Sequence, residues 1–173
     1  SLQLMFEEEF PYTPTSDQLL AVKQIKEEME TSHPMDRLLC GDVGFGKTEV
    51  AFRAIFKAVC DSKQVLYLCP TTILSMQIYN NSIERFKNYP VNIALLNRFT
   101  SSKEIKRILE GLENGTIDFL IGTHKLLNDA IKPKNLGLLV IDEEQRFGVT
   151  HKEKIKQMKE RSAVIEKMLT FDF

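Results

Sequence analysis

The chain has no excess of charge of either sign, few cysteines and no long apolar run, and each shortage closes off a class of protein. Its 23 basic residues face 24 acidic ones across 173 positions. No global field would therefore draw it to nucleic acid or a membrane, and any such contact must come from local patches. Cys40, Cys60 and Cys69 form no CxxC pair, which argues against a disulfide framework or zinc knuckle and for reduced, cytoplasmic surroundings. The longest apolar stretches span about six residues, against the roughly 20 that a membrane-spanning helix needs. Ser1-Leu2-Gln3 does not begin a basic region followed by an apolar run, so no secretory leader is expected. An internal repeat, a low-complexity tract and a Pro/Gly-rich linker are also missing, and the length suits one ordinary α/β domain.

Two periods alternate along the chain. Short β-rich runs at Arg37–Cys40, Gln64–Cys69, Val91–Leu96, Ile117–Ile121 and Leu136–Ile141 are apolar almost throughout in several cases, which suits strands buried on both faces of a parallel sheet. Between them, Ser16–Thr31 places Val22, Ile25 and Met29 at helical spacing with Lys and Glu opposite. Further helices are predicted over Lys47–Asp61, Ile73–Asn88, Ser102–Glu113 and His151–Lys159. This succession predicts an α/β fold, a mostly parallel sheet with helices on both faces.

The first chemical signal is Gly41-Asp42-Val43-Gly44-Phe45-Gly46-Lys47-Thr48, a complete GxxxxGK[ST] phosphate loop (P-loop). Its glycines let the backbone turn tightly and bring N–H groups against phosphate oxygens. Lys47 reaches the β- and γ-phosphates, and Thr48 offers a hydroxyl to Mg²⁺ at the start of a helix whose dipole favours the anion. At ordinary residue frequencies a chain this long meets the pattern by chance roughly 0.6% of the time. The predicted strand before it and helix after it are the context the mechanism requires, so ATP with Mg²⁺ is the expected ligand.

The second signal is the apolar strand Leu138-Leu139-Val140-Ile141 running into Asp142 and Glu143. Carboxylates there stand at the carboxyl edge of the sheet, where open α/β sheets bind ligands. Asp142 is positioned to hold Mg²⁺ and Glu143 to orient and deprotonate an attacking water. An acidic helix cap is the plainer reading of the pair alone; the P-loop upstream favours catalysis. A paired acid also argues against a kinase or small GTPase.

Asp142-Glu143-Glu144-Gln145 resembles the D-E-x-x box of superfamily 2 helicases and translocases. Phe10 to Gln18, Pro70-Thr71-Thr72-Ile73-Leu74 and Gly122-Thr123-His124-Lys125-Leu126-Leu127 fall where that superfamily keeps its adenine-reading and DNA-contacting motifs. Within it, the stretch from Met35 to Ala51 and Asp142-Glu143-Glu144-Gln145-Arg146-Phe147-Gly148-Val149 are similar to the bacterial transcription-repair coupling factors over roughly residues 8 to 159. The branch-migrating helicase RecG typically reads D-E-Q-H-R-F-G at the second site and has Ser where Phe45 stands, so Glu144 and Gln145 favour the coupling factors. The resemblance implies a RecA-like ATP-binding domain over 1–160, the first half of a motor on double-stranded DNA that displaces stalled RNA polymerase. It also implies UvrA as a partner through other domains.

On the same resemblance, Gln18 would read the adenine edge and Phe10 or Tyr12 stack on the ring, although Thr15-x-x-Gln18 is also a capping box. Thr71, Thr72, Thr123, His124, Lys125 and Arg98 are candidate DNA contacts, each following a predicted strand. Helix capping by the threonines, a packed His124 and a solvated Arg98 are the alternatives. Arg98–Arg107 and His151–Arg161 each carry a local basic excess of three, ordinary for solvated helix faces. The second could equally pack on a partner domain. No second RecA-like domain with its arginine finger follows, and the tail over 161–173 departs from the family pattern before the expected T-A-T-P segment. An excised fragment that binds nucleotide with almost no turnover is therefore expected.

Overall fold

The computed structural model describes residues 1–11, 16–29, 35–38, 45–164 and 169–172. Strands β1 (Met35–Leu38), β2 (Gln64–Leu68), β3 (Ile93–Leu96), β4 (Phe119–Gly122), β5 (Leu136–Ile141) and β6 (Leu169–Asp172) form one sheet. Its order is β1-β6-β5-β2-β4-β3, and every neighbouring pair is parallel. The helices are α1 (Leu2–Glu8), α2 (Ser16–Met29), α3 (Phe45–Cys60), α4 (Thr72–Arg85), α5 (Ser102–Asn114) and α6 (Val149–Val164), with 3-10 turns at His124–Leu127 and Glu144–Arg146.

Strand side chains alternate between two cores, as the two-residue period of a strand demands. Val65 and Tyr67 of β2, Phe119 and Ile121 of β4, and Leu138 and Val140 of β5 pack with α3, Ile78 of α4 and Phe6 of α1. Leu66 and Leu68, Leu120, and Leu139 and Ile141 face the other way, onto Ile108 and Leu112 of α5 and Phe147 and Ile155 toward α6. The central strands are covered on both sides, which explains their unbroken apolar runs. The expected parallel sheet with helices on both faces is what forms. No helix among the described residues is long and apolar enough to cross a membrane.

Two elements were not foreseen. Seven-residue α1 is too short to show periodicity and forms because Phe6 is fully buried, stacked on Phe56 at 4.3 Å and against Phe86 at 4.9 Å. Strand β6 is four residues, Leu-Thr-Phe-Asp, with no apolar run, and its place is set by backbone pairing with β1 and β5. Helix α6 also runs five residues past the predicted Lys159.

Candidate nucleotide site and nucleic-acid edge

Pairing through β6 brings the end of β1 and the end of β5 to one level. Leu38 and Ile141 are both in register with Asp172, so β1 ends at the level at which β5 delivers its carboxylates, with β6 between them. They stand two strand spacings apart, about 10 Å. Gly41, Asp42, Val43 and Gly44 lie outside the described residues. Phe45, Gly46, Lys47 and Thr48 form the first turn of α3, with Thr48 half-buried. The loop therefore ends at a helix N-terminus, where backbone N–H groups and the dipole favour an anion.

Asp142 is anchored at both ends. Its N–H donates to the Leu68 carbonyl at 2.9 Å, extending the β5–β2 ladder by one rung. Its Oδ2 accepts from the Tyr67 hydroxyl at 3.4 Å. Burial, then the Asp142 charge, hold the Tyr67 phenol well above its ordinary pKa, so it stays a donor. Glu143 has φ of 52°, the left-handed region that a long side chain seldom occupies. Its Oε2 meets the Arg146 guanidinium at 2.7 Å, and its carbonyl accepts the Arg146 N–H at 2.9 Å. The 3-10 turn after β5 thus holds Glu143 at the sheet edge, with its side chain about one-third exposed (31%). Magnesium binds few protein ligands beside phosphate oxygens and water, and the hard oxygens of Asp142 and Thr48 suit it.

One residue beyond Thr48, Glu49 is buried and accepts from Arg53 at 2.7 Å and from Arg85 of α4 at 2.8 Å. Arg85 also donates to the Phe6 carbonyl at 2.6 Å and lies 3.8 Å from the Phe6 ring centre. The helix that starts at the P-loop is thereby bolted to α4 and α1. Phe10, an adenine-stacking candidate, has the Arg53 guanidinium 5.7 Å from its ring centre. Tyr12 and the side chain of Gln18, the other adenine candidates, lie outside the described residues.

The DNA-contact candidates stand on the same carboxyl edge. Thr71 is the N-cap of α4, its Oγ1 accepting the Leu74 N–H at 3.1 Å, and Thr72 is half-buried beside it. Arg98 is exposed in the loop after β3. After β4, Lys125 is half-buried and His124 exposed, whereas Thr123 is 3% exposed. Gly122 is required there, because a Cβ would sit 2.6 Å from the Leu96 carbonyl oxygen. The His124 ring stacks on His151 of α6 at 4.6 Å.

A family model described as DEAD/DEAH box helicase matches residues 15–171. The chain belongs to that family. It is 61% identical over 158 residues to the transcription-repair-coupling factor of Bacillus subtilis (strain 168), covering 91% of this chain and 13% of the relative. It is 56% identical to that of Staphylococcus aureus (strain USA300), covering 94% and 14%. A solved structure, RecG bound to a three-way DNA junction, superposes with a TM-score of 0.83 at 37% identity, covering 99% of this chain and 22% of that one. The resemblance read from the motifs is thus borne out, and the fold is RecA-like. The chain spans about an eighth of the length of the curated relatives it matches.

Sequence reasoning about this helicase domain missed the groups that support the motifs. Tyr67 hides in an apolar strand, where only its hydroxyl, which must find a partner once buried, signals a role. Glu49 and Arg53 show as an i,i+4 pair, but Arg85, 36 residues from Glu49, gives no local sign.

Proposed function

We propose that this domain binds ATP with Mg²⁺ and drives a motor along double-stranded DNA that displaces stalled RNA polymerase in the cytoplasm. The observation that carries the reading is the delivery of Asp142 and Glu143 to the level at which β1 leads toward the P-loop. In this reading Lys47 neutralises the β- and γ-phosphates, the Gly41–Gly46 backbone cradles them, and Thr48 and Asp142 hold the metal. The metal supplies charge neutralisation at the phosphates. Glu143 takes a proton from the attacking water, and Gln18 and Phe10 receive the adenine. Thr71, Thr72, Arg98, His124 and Lys125 grip DNA phosphate, whereas Thr123, expected to join them, is only 3% exposed and too buried to do so. UvrA and polymerase are engaged by other domains. An arginine finger from a second motor domain is worth about 10³ to 10⁵ in rate, so this chain alone binds nucleotide and turns it over slowly.

The test uses the complete parent protein and RNA polymerase halted on DNA by withholding a nucleotide. Release that needs ATP and is lost in Glu143→Gln supports the reading. The structural likeness to RecG favours a second one, remodelling of branched DNA. ATP-driven conversion of a forked substrate without polymerase release would establish that reading instead.

A further inference from the structure

We infer that Phe99 is a contact residue for duplex DNA, its ring entering the minor groove between the phosphates held by Arg98 and by the first turn of α4. The inference rests on the DNA reading above and adds an apolar contact to it. Phe99 is 67% exposed in the loop between β3 and α5, on the carboxyl edge of the sheet. That exposure does not come from a loose loop. The neighbouring Asn97 is 2% exposed, and its Oδ1 accepts the Phe99 N–H at 2.9 Å. Its own N–H donates to Thr100 Oγ1 at 2.9 Å, and the Thr100 hydroxyl donates to the Leu95 carbonyl at 3.1 Å. The Thr100 N–H returns to the Asn97 carbonyl at 3.1 Å. These four hydrogen bonds shape a turn that holds an aromatic ring out in water, where it forgoes the burial that a core position would provide.

The same asparagine sets the loop against the neighbouring candidate contact. Asn97 Nδ2 donates to Ser75 Oγ at 3.3 Å, and Ser75 donates to the Thr72 carbonyl at 2.6 Å. Phe99 and the α4 cap at Thr71 are therefore held in register through buried polar atoms. The Arg98 guanidinium lies 4.7 Å from the Phe99 ring centre. A cation beside an apolar ring is the pairing that minor-groove proteins use, the cation for the groove's negative potential and the ring as a wedge at a base step. Lys103 and Lys106 follow on α5 with Glu104 between them, so the stretch after the ring is net basic and favours a polyanion over the apolar face of another protein.

The measurement is anisotropy of a short fluorescein-labelled A·T-rich duplex titrated with this chain at several salt concentrations. Phe99→Ala is expected to weaken binding about tenfold, the order that one aromatic nucleic-acid contact supplies, with the salt dependence unchanged. Arg98→Ala lowers the slope of log affinity on log salt by about one. Both keep the parent's melting temperature and its nucleotide-induced rise. Ile83→Ala, another exposed apolar residue on α4, keeps full affinity. Filling the groove with distamycin should weaken the parent but not Phe99→Ala. Parent-like affinity in Phe99→Ala alongside a weakened Arg98→Ala overturns the inference and leaves the DNA reading standing. A weakened Phe99→Ala with no response to distamycin overturns the groove assignment. No duplex binding by the parent chain removes the DNA reading of this edge and the inference with it.

Discussion

At φ of 52°, Glu143 stores backbone strain of roughly 1–3 kcal/mol at the position that the nucleotide reading assigns to the general base. A half-exposed ion pair to Arg146 returns at most about 1 kcal/mol. Removing the side chain should therefore cost the fold little, and a β-branched one should cost more. Glu143→Gly is expected to melt at or above the parent temperature and Glu143→Val several degrees below it, measured by thermal denaturation. Parent-like melting of Glu143→Val would remove the strain argument. Tyr67 acts through Asp142. Tyr67→Phe deletes one long hydrogen bond, 3.4 Å, to a carboxylate, and should cost the fold no more than about 1 kcal/mol. It should also shrink the magnesium-dependent part of the nucleotide-induced rise in Tm, which a purely structural role would leave alone.

At the scale of elements, α3 is held by charge as well as by packing. Glu49 alone accepts from two guanidinium groups on α3 and α4, and removing it leaves both arginines near-buried with a partner gone. Breaking a buried pair from one side costs about 3–5 kcal/mol, so Glu49→Ala should shift the denaturant midpoint strongly. Hydrogen exchange should rise first in α1, which Arg85 and Arg53 tether through the Phe6 and Glu7 carbonyls. Gly122→Ala places a methyl against backbone oxygen at 2.6 Å, a clash that no rotamer relieves. Overpacking of this kind costs about 1–3 kcal/mol, and the expected result is a lower Tm with weaker duplex binding.

Across the whole molecule, the His124–His151 stack joins the loop after β4 to the helix that follows the carboxylate box. Partial desolvation first, then the charges of His151 and Lys125, push the His124 imidazole below its ordinary pKa, and the Phe147 ring lies edge-on to His151 at 6.5 Å. The unfolded chain therefore binds that proton before the folded one does. The contribution of His124 is complete above about pH 6.5 and declines as pH falls through the window down to the depressed folded value. His124→Gln should flatten the pH dependence of Tm over that window, and an unchanged slope would take the stack out of the linkage.

Much of this architecture was legible along the chain because its causes are local. Unbroken apolar runs marked β2, β4 and β5, since a strand covered on both faces has no polar side to show. The P-loop spacing and the carboxylates after Ile141 are fixed by adjacency, as glycine freedom and a strand terminus act within a few residues. Thr71 could be read as a cap for the same reason. What decided the rest acts through space. Only pairing with β1 and β5 makes a strand of Leu169–Asp172, and only the packing of Phe6 on Phe56 and Phe86, with Tyr89 edge-on at 5.5 Å, makes a helix of Leu2–Glu8. The Tyr67–Asp142 bond spans 75 residues and the Asn97–Ser75 bond 22, and in neither case does any spacing rule connect the two. Motifs carried by neighbours in the chain were readable from the sequence. The partners that hold them in place, and the outward presentation of Phe99, exist only once the sheet brings distant segments together.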